Sequence, residues 1–292
     1  MTTAKIIADS ISESGIRITT MELEFERFLL AQFNTHRMFS RSAQSSRAVP
    51  VQKMIDALNS NATPVFMKNK SGMQSNEIIS DCDMFYAKEA WNVVKNAVIS
   101  GATVLDHHHV HKQWINRLLE PFSTVKVVVT ATEWDNFFAL RLHHAAQPEM
   151  QELAQAMKTA MDESMPELLS NGEWHAPYLN QNEFNGDFSV EDLLLISAAR
   201  CARVSYLNHD NSKPDIEKDL DLAQRLLADK HLSPFEHQAK PMRHAKHSFN
   251  SGFGDLLYQE GATHVSKDIN RFSFAWSGNF KGWIQHRQSV DL

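Results

Sequence analysis

Two cysteines in 292 residues, Cys82 and Cys201, are too few for a disulfide framework, and both fall in segments patterned as helix. So little cysteine suits a reducing cytosol. No window approaches the ~18 apolar residues that a membrane span requires, and the opening MTTAKIIADSISESG has no basic segment leading into a long apolar one. The expectation is a soluble cytoplasmic protein with no membrane partner. Positive charge is also short: 29 Lys and Arg against 35 Asp and Glu leave a formal charge of -6. That balance excludes a protein that wraps nucleic acid through a broad cationic face. Gly-rich phosphate loops, a nucleophile elbow and the HExxH zinc pattern are all missing. An enzyme built from this chain must therefore take its chemistry from a bound cofactor.

What is present is a full complement of core residues, 42% hydrophobic, and a readable order of elements. Alternation over residues 4–20 around SESG predicts a hairpin. From Met21 to His36 the apolar stripe Phe25, Phe28, Leu29, Phe33 predicts a helix, with Gln32 and His36 near its end. Further helices are expected over Val51–Leu58, Asp83–Ile99, Lys112–Leu119 (stopped by Pro121), from Asn136, and over Ala146–Met157. TVKVVVTAT is the clearest strand. The Gly/Asn-rich SNGEWHAPYLNQNEFNGDF joins motif halves 1–168 and 188–292 of what reads as a single domain. Beyond it come helices in VEDLLLISAARCARVSY and IEKDLDLAQRLLADK, strands around Phe272–Phe274, and a final helix from Asn279. The class is α+β, helices packed on a mostly antiparallel sheet.

The densest chemistry lies between Thr35 and Val49, where three arginines, a histidine, a glutamine and four serines occupy fifteen positions. Arg37, Arg41, Arg47, Arg117, Arg141 and Arg203 all border apolar runs, and an arginine fork matches phosphate oxygens and pyrimidine carbonyls. Any one of them alone reads as solvated or ion-paired; together with neighbouring Gln, Ser and Asn they point to an anionic, planar ligand. The cluster His107–His111 puts two histidines one helical turn apart, short of the three or four ligands a zinc site needs. Cys201 lies on an apolar helix face, where thiols are inert packing groups.

The spacing of His36, Arg37, Ser40, Gln44, Ser45 and Arg47 resembles the signature of the flavin-dependent thymidylate synthases. SPFEH (Ser233–His237), ARVSY (Ala202–Tyr206), NRLLEP and NFFALRLHHAAQPEM resemble further markers of that family. ARVSY and SPFEH follow the His-Arg motif here, whereas they precede it in the ordinary family, so the arrangement resembles circularly permuted bacteriophage homologues. GNFKGWIQHRQS echoes the run into Thr35-His36-Arg37, as an overlap left by permutation. The chain departs from the family pattern at Thr35, Ser42, Ala43, Ala48, Thr130 and Thr132.

The resemblance implies FAD as cofactor, methylenetetrahydrofolate and NADPH as co-substrates, and a homotetramer with shared active sites. It implies that Gln32, Ser45, Ser46, Arg47, Arg117 and Arg141 bind a deoxypyrimidine monophosphate, with Arg141 and Ser45 at the chemistry. His36, Arg37, Asn136 and His237 match flavin-contacting positions, and no metal ligand is implied. Conversion of dUMP to dTMP is the expected reaction. Hydroxymethylation or methylation of dCMP or dUMP, a nucleotide- or flavin-binding module without catalysis, and a histidine-cluster metal protein are the alternatives.

Overall fold

The computed structural model describes residues 2–61, 63–72, 75, 77–184, 186–204, 215–242, 260–267 and 273–290. Its first elements are β1 (Thr3–Ser12) and β2 (Arg17–Glu26), an antiparallel hairpin whose turn closes with Gly15 N–H donating to Ser12 O at 2.8 Å. The expected helix over 21–36 is overturned for most of its length. Residues 21–26 continue β2, and only a 3-10 turn (Arg27–Leu29) and the short α1 (Leu30–Phe33) are helical. The reason lies in a competing period: Met21, Leu23 and Phe25 alternate with Glu22, Glu24 and Glu26, and strands on both sides satisfy the backbone of that segment.

Next come β3 (Ser40–Ala43), α2 (Val51–Ser60), α3 (Asp81–His107), α4 (Lys112–Leu119), β4 (Thr124–Ala131), α5 (Asp135–Arg141), α6 (Pro148–Glu163) and β5 (Glu167–Leu169). The strands order as β3-β4-β2-β1-β5, antiparallel except for the β1–β5 pair. Thr130 belongs to β4 and Thr132 follows it directly, as expected of TVKVVVTAT.

One face of this sheet presents Met21, Leu23, Phe25, Val125, Val127 and Val129 to α5, α6 and the aromatic turn after α1, forming the largest core cluster. Each such side chain contributes roughly 1.5–3 kcal/mol on burial. The later part of the chain forms α7 (Gln181–Phe184), α8 (Val190–Ala202), α9 (Ile216–Ala228) and β6 (Ala239–Pro241). The opposite face of the sheet meets the end of α8 and the buried His175 and His237; α7 and α9 attach to α8, and β6 pairs with His175. Cys201 and Val204 pack there on Val128. Arg200 ties α8 to α9 and α7 through Asp219 and Glu183, both about 3 Å away or closer.

The chain ends in β7 (His264–Lys267), β8 (Ser273–Ser277), β9 (Phe280–Lys281) and β10 (Trp283–Gln285), the last paired with β6. The expected helix from Asn279 is therefore a pair of short strands followed by a 3-10 turn at His286–Ser289. Gly282 decides this locally: its φ is +69°, and a Cβ there would stand 2.3 Å from Ile16 Cδ1. The neighbouring Trp283 then reaches Ile16 O with its indole N–H at 3.1 Å. Phe272, Ser205 and Tyr206, parts of the expected strand and of the ARVSY segment, lie outside the described residues.

Candidate active site

The turn after α1 is stapled by aromatic packing. Phe33, Phe39, Phe137 and Trp134 form a chain of ring contacts at 4.7–5.9 Å, and His36 joins it, 4.9 Å edge-on to Phe137 and 5.7 Å stacked with Phe39. Arg141, at the end of α5, donates from Nε to His36 Nε2 at 2.9 Å. Its Nη2 reaches Thr35 Oγ1 at 3.4 Å. Burial pushes His36 down to about 4, and the charges of Arg141 and Arg41 push the same way. The ring is neutral near pH 7, and because Nε2 accepts from Arg141 its proton sits on Nδ1. Burial likewise lowers Arg141, and lowers Arg41 with help from Arg37. Several guanidiniums thus surround one neutral imidazole, an arrangement that awaits an anion or an electron-rich ring.

Thr35, His36, Arg37, Asn136 and Arg141 border a cavity of about 790 Å³, with Trp134 and Phe137 among its walls. Glu133, Asp135 and Asp162 also line it, with Asp162 paired to Lys158. The aromatic faces, the Asn136 amide and the Arg37 and Arg141 end therefore fit a group that joins a planar heteroaromatic ring to a diphosphate, as FAD does, with its anionic part at that end. Arg141 also borders a second cavity of about 680 Å³ that contains Gln32. It therefore stands in the wall between Gln32 and the His36–Arg37–Asn136 group.

A third cavity, about 540 Å³, holds Ser45 and Arg47 with Arg41, Ser42, His111 and His231. None of its described lining residues is acidic, so its field is positive. Contributions come from both halves of the chain: Arg41, Ser45 and Arg47 among those from one side, Ala202, His231 and Ser233 among those from the other.

Three of the residues expected at the site are placed elsewhere. Ser46 is buried, its hydroxyl donating to Glu120 Oε1 at 2.5 Å while its carbonyl accepts from Asn116 Nδ2 at 2.8 Å. Arg117 is exposed, 3.9 Å from the other Glu120 oxygen, and lines none of these three cavities. His237 is wholly buried, with Ser42 Oγ 3.0 Å from Nε2 and Thr130 Oγ1 2.9 Å from Nδ1. It faces inward because two positions that depart from the family pattern, Ser42 and Thr130, supply hydroxyls for both ring nitrogens. The histidine cluster is used in a turn: His107 ends α3 and His111 Nδ1 accepts from Gln113 N–H at 3.2 Å to cap α4. Among the described residues no group of three or more His, Cys, Asp or Glu converges as a metal site.

Trp134 as a cavity wall and His175 as a buried partner of the sheet escaped the sequence reading. The available signal was weak: polar Ser10, Thr20 and Thr130 sit where the strand alternation points inward.

The family described as Thymidylate synthase complementing protein matches residues 16–167, just over half of the chain. The chain belongs to that family. The match holds Thr35 to Arg47, Arg117, Asn136 and Arg141, and ends before His175 and His237. Two solved structures are similar in part. A UMP/dUMP methylase, PolB from Streptomyces cacaoi bound with 5-Br UMP, aligns at 14% identity over 56% of this chain and 89% of its own, TM-score 0.45. Thymidylate Synthase X from Helicobacter pylori, with FAD and dUMP, aligns at 18% identity over 49% of this chain and 67% of its own, TM-score 0.35. No curated protein matches the chain.

Proposed function

We propose that the protein is an FAD-dependent thymidylate synthase that moves a one-carbon unit from methylenetetrahydrofolate to the 5-position of dUMP, giving dTMP, with NADPH as reductant. The observation that carries this reading is the meeting of His36, Arg37, Asn136 and Arg141 at one cavity within the family-matched segment. FAD, when bound, would supply the reducing equivalents, which the protein's own side chains do not carry. Arg37, Asn136 and the aromatic walls hold that cofactor. Arg141, fixed by His36, presents a guanidinium where negative charge grows on the pyrimidine carbonyl. Neutral His36 spends its lone pair on Arg141 and so prevents that side chain from swinging away. Ser45 and Arg47 bind the nucleotide phosphate in the basic cavity, and Gln32 contacts the base from the far side of Arg141.

We read residues 1–292 as a single, circularly permuted domain of bacteriophage type that acts in the cytoplasm as a homotetramer. Contacts of SPFEH with β3 and β4 support the permutation, and the exposed Tyr86, Val93 and Val104 along α3 support burial between copies. No helix among the described residues is long and apolar enough to cross a membrane. The test is to incubate purified protein with FAD, NADPH, methylenetetrahydrofolate and dUMP and weigh the nucleotide. A gain of one methyl group is expected; a hydroxymethyl gain, or dCMP as the better substrate, overturns the reaction assigned.

A further inference from the structure

A continuous hydrogen-bonded chain crosses the second face of the sheet. Ser10 Oγ is 2.9 Å from His175 Nδ1, and His175 Nε2 is 2.8 Å from Thr20 Oγ1. Thr20 Oγ1 is 2.7 Å from Thr130 Oγ1, which is 2.9 Å from His237 Nδ1. His237 Nε2 is 3.0 Å from Ser42 Oγ. Ser10 through His237 are at most 5% exposed, while Ser42 is half-buried and borders the basic cavity beside Ser45 and Arg47.

Burial pushes both imidazoles down to about 3, so each stays neutral. A neutral imidazole donates from one nitrogen and accepts at the other, and a hydroxyl has one proton to give. Among arrangements with one proton in every bond, only two also give the Thr20 and Thr130 hydroxyl protons an acceptor within the chain. In the first, Ser42 donates to His237, His237 to Thr130, Thr130 to Thr20, Thr20 to His175, and His175 to Ser10. Ser42 then has only lone pairs left for the cavity. In the second, every bond runs the other way, both histidines carry the proton on Nε2, and the Ser42 proton is free to point into the cavity. Mixed arrangements leave an unsatisfied buried group and are disfavoured.

We propose that Ser42 is an anion-binding donor in the basic cavity, and that His237 and His175 are positioning residues whose tautomers switch together to set its direction. The proposal rests on reading that cavity as the phosphate site. The phosphomonoester dianion of a nucleotide carries no proton and only accepts hydrogen bonds, and inorganic phosphate accepts at its unprotonated oxygens, so binding selects the second arrangement and carries the change from Ser42 through to Ser10.

Nitrogen NMR of the full chain with labelled histidine reads the ring tautomers directly, first alone, then with inorganic phosphate, then with dUMP. The expected result is that His175 and His237 share one tautomer in every state and both carry the proton on Nε2 when anion saturates. Ser42→Ala should weaken dUMP about tenfold. It should also leave the His237 tautomer unresponsive to anion, whereas Ser42→Thr should restore both properties. Opposite tautomers at His175 and His237, or a response confined to His237, would overturn the coupled chain. Anion binding that Arg47→Ala weakens but that moves neither histidine sinks the Ser42 proposal and spares the phosphate site. No saturable binding of phosphate or dUMP sinks both.

Discussion

On one face of β2 and β4, Met21, Leu23, Phe25, Val125, Val127 and Val129 meet Met150, Leu153 and Met157 of α6 in one apolar cluster. On the other, Thr20 and Thr130 meet two imidazoles, and Glu22 accepts from the Tyr178 hydroxyl at 2.7 Å. The first face is held by area removed from water, which is strong and tolerant of small displacements. The second is held by paired donors and acceptors, each of modest net worth but costly to leave unmade. The apolar face therefore supplies stability, and the polar face fixes where the later part of the chain sits, and with it the wall of the basic cavity that Ala202, His231 and Ser233 provide.

Substitutions can break that contrast. Phe25→Ala, at 0% exposure, should lose about 3–5 kcal/mol in denaturant unfolding. A loss under about 1 kcal/mol would mean the apolar face is not the main anchor. Thr130→Val on the opposite face should cost about 1–3 kcal/mol, because Thr20 and His237 each lose a partner. The two-site change Thr20→Val with Thr130→Val should fall short of the sum of the single changes, as coupled neighbours do. Strict additivity would deny a connected network.

The site sharpens the comparison further. Arg141→Ala should lower turnover by roughly a hundredfold or more while thermal stability moves little, the opposite balance to Phe25→Ala. In pH titration, the folded-state value of His36 is depressed to about 4, so the unfolded chain binds its proton first. Its contribution is present above about pH 6.5, falls as pH drops through that range, and is gone below about 4. His36→Phe should make the stability profile less steep in this window by one histidine's share, since His175, His237 and His286 are depressed there too; an unchanged slope would place the ring's proton uptake elsewhere. The smallest effect is expected for Arg225→Ala, whose pair with Asp221 is about two-thirds exposed on both sides. A change within about 0.5 kcal/mol is the prediction, checked by chemical denaturation.

Part of the candidate site's grouping was legible before any folding. His36, Arg37, Asn136 and Arg141 converge at one cavity, although the elements that carry them were misjudged in part. The run from Met21 satisfied two periods at once: Phe25, Leu29 and Phe33 step by four, while Met21, Leu23 and Phe25 step by two. Which period governed depended on β1 and β4 lying to either side, something no local window contains. The expected helix from Asn279 failed for a similar reason, since Gly282 answers to Ile16, far away in the chain. Ser46 and His237 could be matched to motif positions, but motif spacing does not record that Glu120, Thr130 and Ser42 have already claimed their polar atoms.

By itself the sequence determined β4, where a run of β-branched residues suits an extended strand buried on both faces, the helices α6 and α9, whose apolar positions repeat every three to four residues, and α8, whose nearly continuous small and apolar run suits a buried helix. It also determined that cationic and hydroxyl groups would crowd the turn between Thr35 and Val49. Only the tertiary structure decided the direction in which each of those groups points. A side chain's free donors and acceptors are what remain after distant partners have taken theirs. In this protein those partners, His36 for Arg141, Glu120 for Ser46, and Thr130 and Ser42 for His237, lie between about 70 and 200 residues away.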